Sequence, residues 1–454
     1  MGAAMSLRLS AYHVASQAFL DEDDSVIKRL VFATRTATVI IIPEKCWIAT
    51  RNGNLAVLPE SVVAELCEIE LLVPADTDEL ATVLARQRAA SATDDRLTLV
   101  VQPTAACQLA CGYCGQEHSH THLSEAHQDL FLDSARRSLA TGRYRALGIG
   151  WFGAEPLAGL RAMRRMSPRL QALAAEFGCD YTSSITTNGL SLTDDTATEL
   201  VKTHAVRSLT VSLDGLRDAH DARRPTKAGK PTFERILANL LRLCRRADLD
   251  LDIDVRANVD RRNADQVVPL LRLLAAARVQ DRIRFYVAPV HSWGNEAHER
   301  SLPPEEFANA EIAWFAEMAR LGFRVSVVPE LTPVVCIAVK PDSAVVDATG
   351  ALYNCTEVSY VPAYGTPNRF SVGHVETGTD RTARQILGDF HDRVAAGAYS
   401  CGTCRMLPVC GGACPKQWLE GRAPCPSAKL NIEDRLLLGY ALSRGNIHVQ
   451  EAAA

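Results

Sequence analysis

The sequence predicts an α/β protein built on a partial barrel of six parallel strands, and two observations carry that expectation. Between Leu97 and Val287, short apolar β-rich segments alternate with segments of helical period, and several of the strands end in short polar or glycine-containing motifs. Alternation of this kind implies a parallel sheet with right-handed helical crossovers. Six strands fall short of the eight of a closed barrel, so the barrel is partial.

The strands are expected at Leu97–Val101, Ala146–Phe152, Tyr181–Thr186, Ser208–Leu213, Leu251–Ala257 and Ile283–Val287, with helices near 123–140, 160–176, 193–203, 231–247, 264–277 and 304–320. Ahead of them, residues 1–95 read as a small α+β unit. Leu30–Thr34 and Ala37–Pro43 are β-branched and apolar, Arg51-Asn52-Gly53-Asn54 is a turn signal, and helical patterns follow Pro59 and Thr77. Acidic and small residues over 90–95 mark a boundary. After 322 the chain turns loop-rich, punctuated by Pro, Gly and Cys to about 431, and residues 432–454 read as one helix and a small-residue tail. The domains are therefore set at 1–95, 96–322, 323–431 and 432–454.

The chain has 454 residues, 47% apolar and 22% charged, with a net charge of -4, which is ordinary for a soluble enzyme. The one dense basic stretch, Arg223-Arg224-Pro225-Thr226-Lys227, is too short to track phosphates, so nucleic acid is not an expected partner. No secretory signal opens the sequence and the early apolar run Ala37–Pro43 is too short to cross a bilayer, which points to a cytoplasmic protein with no membrane partner.

Fourteen cysteines are many for such a chain, and metal ligation explains them better than disulfides do in a reducing compartment. Three fall within eight residues, Cys107, Cys111 and Cys114, directly after the first barrel strand, where such folds place their chemistry. Three thiolates leave one iron of a four-iron cluster open; a closed zinc site would need a fourth ligand such as His118 or His120. Seven more lie between Cys336 and Cys425. Their spacing, Cys401-x2-Cys404-x5-Cys410-x3-Cys414, leaves too short a gap between pairs for a zinc ribbon. Cys46, Cys67, Cys179 and Cys244 stand alone and read as small apolar side chains.

The loop C-x3-C-x2-C with Tyr113 before its last cysteine resembles the signature of the radical S-adenosylmethionine (SAM) superfamily. Gly153-Ala154-Glu155-Pro156 after the second strand resembles that family's Gly-Gly-Glu-Pro motif, with Ala154 replacing a glycine. Thr187-Asn188-Gly189 after the third strand, Ser212-Leu213-Asp214-Gly215 after the fourth, His220-Asp221-Ala222-Arg223-Arg224 and Asn258 complete the likeness. The resemblance implies a SAM-binding [4Fe-4S] cluster on Cys107, Cys111 and Cys114. It also implies cofactor contacts from Tyr113, Gly153, Glu155, Thr187, Asn188, Ser212, Asp214, Arg224 and Asn258, with Glu155 receiving the methionine ammonium and Arg224 the carboxylate.

The later cysteines resemble the SPASM domain, which carries two auxiliary [4Fe-4S] clusters. Its ligation pattern implies one cluster on Cys401, Cys404, Cys410 and Cys425, and another on Cys336, Cys355 and Cys414 with its fourth ligand open. Enzymes of this kind generate a 5'-deoxyadenosyl radical and oxidise peptides or proteins, with ferredoxin or flavodoxin as reductant. The N-terminal unit loosely resembles the winged-helix leader-recognition element of peptide maturases. The expected function is oxidative modification of a ribosomally made precursor peptide, most simply an intrapeptide cross-link. One alternative is formylglycine formation on a sulfatase, which uses an acid directly after the cysteine corresponding to Cys355; here that residue is Thr356, with Glu357 one position late. A non-catalytic iron-sulfur protein is the alternative of another class. No catalytic side chain is assigned from sequence.

Overall fold

The computed structural model describes residues 6–444 apart from 22 and 24, and the backbone of 450–451. The expectations for the first five residues and for most of the tail after 444 lie outside the described residues.

The six barrel strands are β1 (Arg96–Val101), β2 (Ala146–Trp151), β3 (Asp180–Thr187), β4 (Val206–Ser212), β5 (Asp252–Val259) and β6 (Ile283–Pro289), each parallel to the next. Helices Glu125–Leu139, Leu160–Glu176, Asp194–Lys202, Phe233–Cys244 and Val267–Ala276 form the crossovers, and Pro304–Arg320 follows β6. Two of them begin on side-chain caps, in which Ser124 accepts from the His127 amide and Thr193 from that of Thr196. The fold is thus the expected α/β partial barrel. Leu97, Leu99 and Val101 point to one side and pack with Leu147, Ile149 and Trp151 and with the helices, as the period of two in a strand requires.

The sheet does not stop at β1. Ala344–Val346 adds to it in parallel, pairing with Leu99–Val101, and the antiparallel strands Ala351–Tyr353, Gly373–His374 and Gly378–Thr379 extend it further. The loop-rich C-terminal segment is therefore built onto the barrel's own sheet, across the boundary expected at 322.

The N-terminal unit is an antiparallel sheet of His13–Ala15, Phe19–Asp21, Val26–Ala33 and Thr38–Pro43, with helices Glu44–Arg51, Glu60–Glu68 and Glu79–Thr93. Val31, Ala33, Ile40 and Ile42 face the first two helices through Trp47, Val62 and Leu66. The alternate residues Leu30, Phe32 and Ile41 face the C-terminal helix Ala428–Ser443 through Ile432 and Leu436, together with Met406 and Val409. Both faces of this sheet are covered, which is why its central strands are apolar without alternation. Residues 6–95 consequently close a core of their own on the Trp47 side of the sheet and complete the other side only with the C-terminal helix. The C-terminal helix is tied to the barrel as well, since Asn431 donates to the Ala308 carbonyl at 2.8 Å and Arg435 pairs with the buried Glu311.

Phe32 is fully buried at the contact between the N-terminal sheet and the C-terminal helix. Phe32→Ala is expected to cost about 3–5 kcal/mol and to lower the denaturant midpoint of near-ultraviolet circular dichroism; an unchanged midpoint would show that this contact does not hold the two segments together.

Candidate cluster and cofactor site

Cys107, Cys111 and Cys114 lie in the loop after β1, and all three line one cavity of about 290 Å³ at the carboxyl end of the sheet. Tyr113, Gly153, Ala154, Thr187, Asn188, Ser212, Arg224 and Asn258 line the same cavity, so residues spread over about 150 positions of sequence converge because parallel strands all end on one side. Burial pushes the Cys107 thiol up to about 12 and that of Cys114 to about 11, and mutual repulsion with Cys111 adds to both. Three thiols so close cannot ionise by themselves, and a cationic group between them would reverse that balance. A cluster held by three cysteines fits this donor set. His118 Nε2 is 4.0 Å from Cys114 Sγ, and His120 does not line the cavity.

A buried polar network fixes the loop. The Tyr113 hydroxyl donates to Asp214 Oδ2 at 2.7 Å and accepts from Asn258 Nδ2 at 3.0 Å and from Arg224 Nη1. Burial holds Tyr113 well above its ordinary value, so it stays protonated and able to donate. Burial alone would raise Asp214 too, but the Arg224 and Arg223 guanidiniums bring its carboxyl below the usual range. His220 is lowered to about 4, chiefly by burial, and as a neutral ring accepts the Asp214 amide at Nδ1, 3.2 Å away. Asp221 caps the next helix, accepting from the amides of Thr232 and Phe233 at 2.7 and 2.8 Å.

Two expected cofactor contacts are placed differently. Glu155 is fully buried and accepts from Thr187 Oγ1 at 2.7 Å, the Asn188 amide at 2.7 Å and the Leu157 amide at 3.0 Å. These three donors tie its carboxylate to the β3 loop behind the residues that line the cavity. Asp214 is likewise buried behind the wall, positioning Tyr113, and Arg224 reaches the cavity with Nη1 already committed to Tyr113.

Several residues in and behind the cavity lining have no motif to announce them. Gln102, the residue after β1, donates to the Thr356 carbonyl at 3.3 Å and accepts from Ser359 Oγ at 2.6 Å, pinning the 356–359 loop over the cavity. Gly153, at φ +81°, packs on that glutamine so closely that a Cβ would lie 2.5 Å from its side-chain carbon. Gln116 accepts the Ala154 amide at 3.1 Å, and Ala154 itself takes φ +44°. Arg256, His291, Trp293 and Glu357 line the cavity together with the cysteines. Glu357, not Thr356, presents a carboxyl to the cavity, and burial raises it above its ordinary range. Arg256 Nη2 donates to Ser212 Oγ at 3.2 Å.

Farther off, Cys401, Cys404, Cys410 and Cys425 surround a second, smaller cavity with Trp418 and Lys429. Lys429 Nζ lies 3.5 Å from Cys425 Sγ. Cys336, Cys355 and Cys414 are near enough to raise one another's thiols, with Glu357 beside Cys355 and Cys414. Cys244 is buried; Cys46 and Cys67 pack against the N-terminal core, and Cys179 donates to the Tyr144 carbonyl at 3.2 Å.

Residues 101–251, within the barrel, match the model of the Radical SAM superfamily, a class that uses a [4Fe-4S] cluster and SAM. Two curated relatives are similar over 137 residues. They are the serine-type anaerobic sulfatase-maturating enzymes of Klebsiella aerogenes, 29% identical over 30% of this chain and 33% of that protein, and of Klebsiella pneumoniae, 28% identical over 30% and 34%. The chain spans about a third of the length of these relatives. Among solved structures, native anSMEcpe with bound AdoMet superposes with TM-score 0.56 at 17% identity, over 77% of this chain and 97% of that one. SuiB of Streptococcus suis bound to S-adenosylmethionine gives 0.50 at 14%, over 92% and 98%. These likenesses extend the shared fold beyond the barrel.

Tyr113→Phe removes one hydroxyl on which three buried groups depend. Leaving them unsatisfied is expected to cost about 1–3 kcal/mol of stability with iron per chain unchanged after reconstitution; equal stability would mean that the network is not what holds the loop.

Proposed function

We propose that this chain is a radical SAM maturase that oxidises a residue of a ribosomally made precursor peptide, most simply by forming an intrapeptide cross-link. The observation that carries the reading is the cavity that the three cysteines share with Arg256, His291, Trp293 and Glu357. The cysteines suit a cluster and SAM; the remaining lining, part aromatic and part ionisable, suits an amino-acid side chain.

In this reading Cys107, Cys111 and Cys114 hold three irons, and Cys336, Cys355, Cys414 and the set Cys401, Cys404, Cys410, Cys425 hold two auxiliary clusters. The bound cluster and SAM supply hydrogen-atom abstraction from an unactivated C–H bond. The chain's own groups do the rest. Asn188, Ser212 and Arg224 orient SAM from the strand ends. Tyr113 and Asp214 keep Arg224 aimed, and Glu357 is positioned to take the proton released as the substrate is oxidised. Ferredoxin or flavodoxin would supply the electron, in a cytoplasmic setting.

The N-terminal sheet supports a peptide substrate. Its strand Thr38–Pro43 takes Gln450–Glu451 as a short parallel neighbour, which is the way a leader peptide would add to an edge. Formylglycine formation is the second reading, favoured by the name of the curated relatives and by the carboxyl of Glu357 in the cavity.

Reconstituted anaerobically and given dithionite, the protein should convert SAM to 5'-deoxyadenosine; intact clusters without SAM cleavage would contradict the enzyme reading. Mass spectrometry of a short peptide encoded beside the gene and co-expressed with the protein should show loss of two hydrogens. An unmodified peptide would reject that pairing, and conversion of a sulfatase cysteine or serine to formylglycine would favour the second reading. Glu357→Gln should keep SAM cleavage while lowering product yield about 100-fold or more; unchanged yield would remove Glu357 from the chemistry.

A further inference from the structure

Away from the cavity, His127 of helix Glu125–Leu139 meets His374 and Glu376 of the terminal hairpin of the extended sheet. One potential ligand atom from each lies within 4.8 Å of the others. Glu376 Oε1 is 3.5 Å from His127 Nε2, and Oε2 is 3.5 Å from His374 Nδ1. These separations are long for hydrogen bonds. Glu376 meets one ring with each oxygen, so a small rotation of this exposed side chain would bring one oxygen to the edge of a zinc tetrahedron, about 3.3 Å for bonds of about 2.0–2.1 Å.

The surrounding backbone presents the right nitrogens. His374 Nε2 is 3.1 Å from the Thr349 carbonyl, to which it would donate, leaving Nδ1 with its lone pair toward Glu376. The Glu376 amide, 3.3 Å from that Nδ1, holds the lone pair until an ion displaces it. A carbonyl behind a ligating histidine fixes its tautomer. His127 Nδ1 is buried without a partner, so only Nε2 is open to a ligand. Gly350, at φ +93°, lets the two rings converge: a Cβ there would sit 2.8 Å from His127 Nδ1 and 2.9 Å from His374 Nε2. No cysteine belongs to the cluster, and the donor set is entirely nitrogen and oxygen, which suits zinc.

We propose that His127, His374 and Glu376 form a zinc site, its fourth position taken by water, that staples the barrel's first crossover helix to the last hairpin of the C-terminal extension. The hairpin strands are two residues each, too short to hold an edge firmly by backbone pairing alone. A metal bridging elements far apart in sequence supplies the missing constraint. The inference is independent of the reaction proposed above.

The test uses the full chain with its clusters already loaded, so that cysteines are occupied, then one equivalent of Zn2+ followed by desalting. Elemental analysis should find about one zinc per chain with iron unchanged, and zinc K-edge absorption should show nitrogen and oxygen neighbours only. His374→Ala and Glu376→Gln should each abolish zinc retention and leave iron unchanged. Glu376 is 61% exposed, so its glutamine variant keeps the fold and decides the matter should His374→Ala fail to fold. No retained zinc, a sulfur neighbour, or equal retention by Glu376→Gln would overturn the site.

Discussion

The short parallel ladder between Leu99–Val101 and Ala344–Val346 is the constraint on which the site's composition depends. It continues the barrel sheet past β1, so the chain that returns through Ala351–Tyr353 emerges beside the cysteine loop and delivers Cys355, Thr356 and Glu357 to it. Gln102 then couples the two segments directly, gripping Thr356 and Ser359 on one side and packing on Gly153 on the other. Without this ladder, the cavity would lose the Glu357 carboxyl, while Arg256, His291 and Trp293, carried by β5 and the segment after β6, would remain.

A second constraint is the buried network centred on Tyr113. Its hydroxyl is shared by Asp214, Asn258 and Arg224, which come from the ends of β4 and β5 and from the helix after β4. Buried polar networks are worth most when every member is satisfied, and here one phenol satisfies three partners. The same economy explains Glu155, whose three donors lock the loops after β2 and β3 together. Glu155 and Asp214 build the pocket, while Glu357, Arg224, Ser212 and Asn188 reach into it.

Much of this was legible in the sequence. The six strands and their helices are long and periodic, so they emerge within two residues or so of expectation, Leu160–Glu176 and Pro304–Arg320 among them. The cysteine loops were readable because ligand spacing is local. What stayed hidden was set by tertiary contact. Arg256, His291 and Trp293 are single residues without a motif, and only the fold brings them to one cavity, as it brings Gln102 behind it. That Glu155 and Asp214 turn away from the cavity depends on which donors surround them, which spacing does not encode. Strands of two or three residues, such as Leu7–Leu9 and Gly373–His374, carry too little pattern to be seen, and the dependence of the N-terminal sheet on the C-terminal helix appears only once both faces of Leu30–Ala33 are found buried.

The central claim is that Cys107, Cys111 and Cys114 hold a cluster with one iron open to SAM inside this cavity. Electron paramagnetic resonance of the reduced, reconstituted protein tests it most directly. Adding SAM should change the signal of one cluster, and replacing the three cysteines with alanine should remove that signal while leaving those of the remaining clusters. A spectrum indifferent to SAM, or a SAM-sensitive signal that survives the triple replacement, would contradict the account.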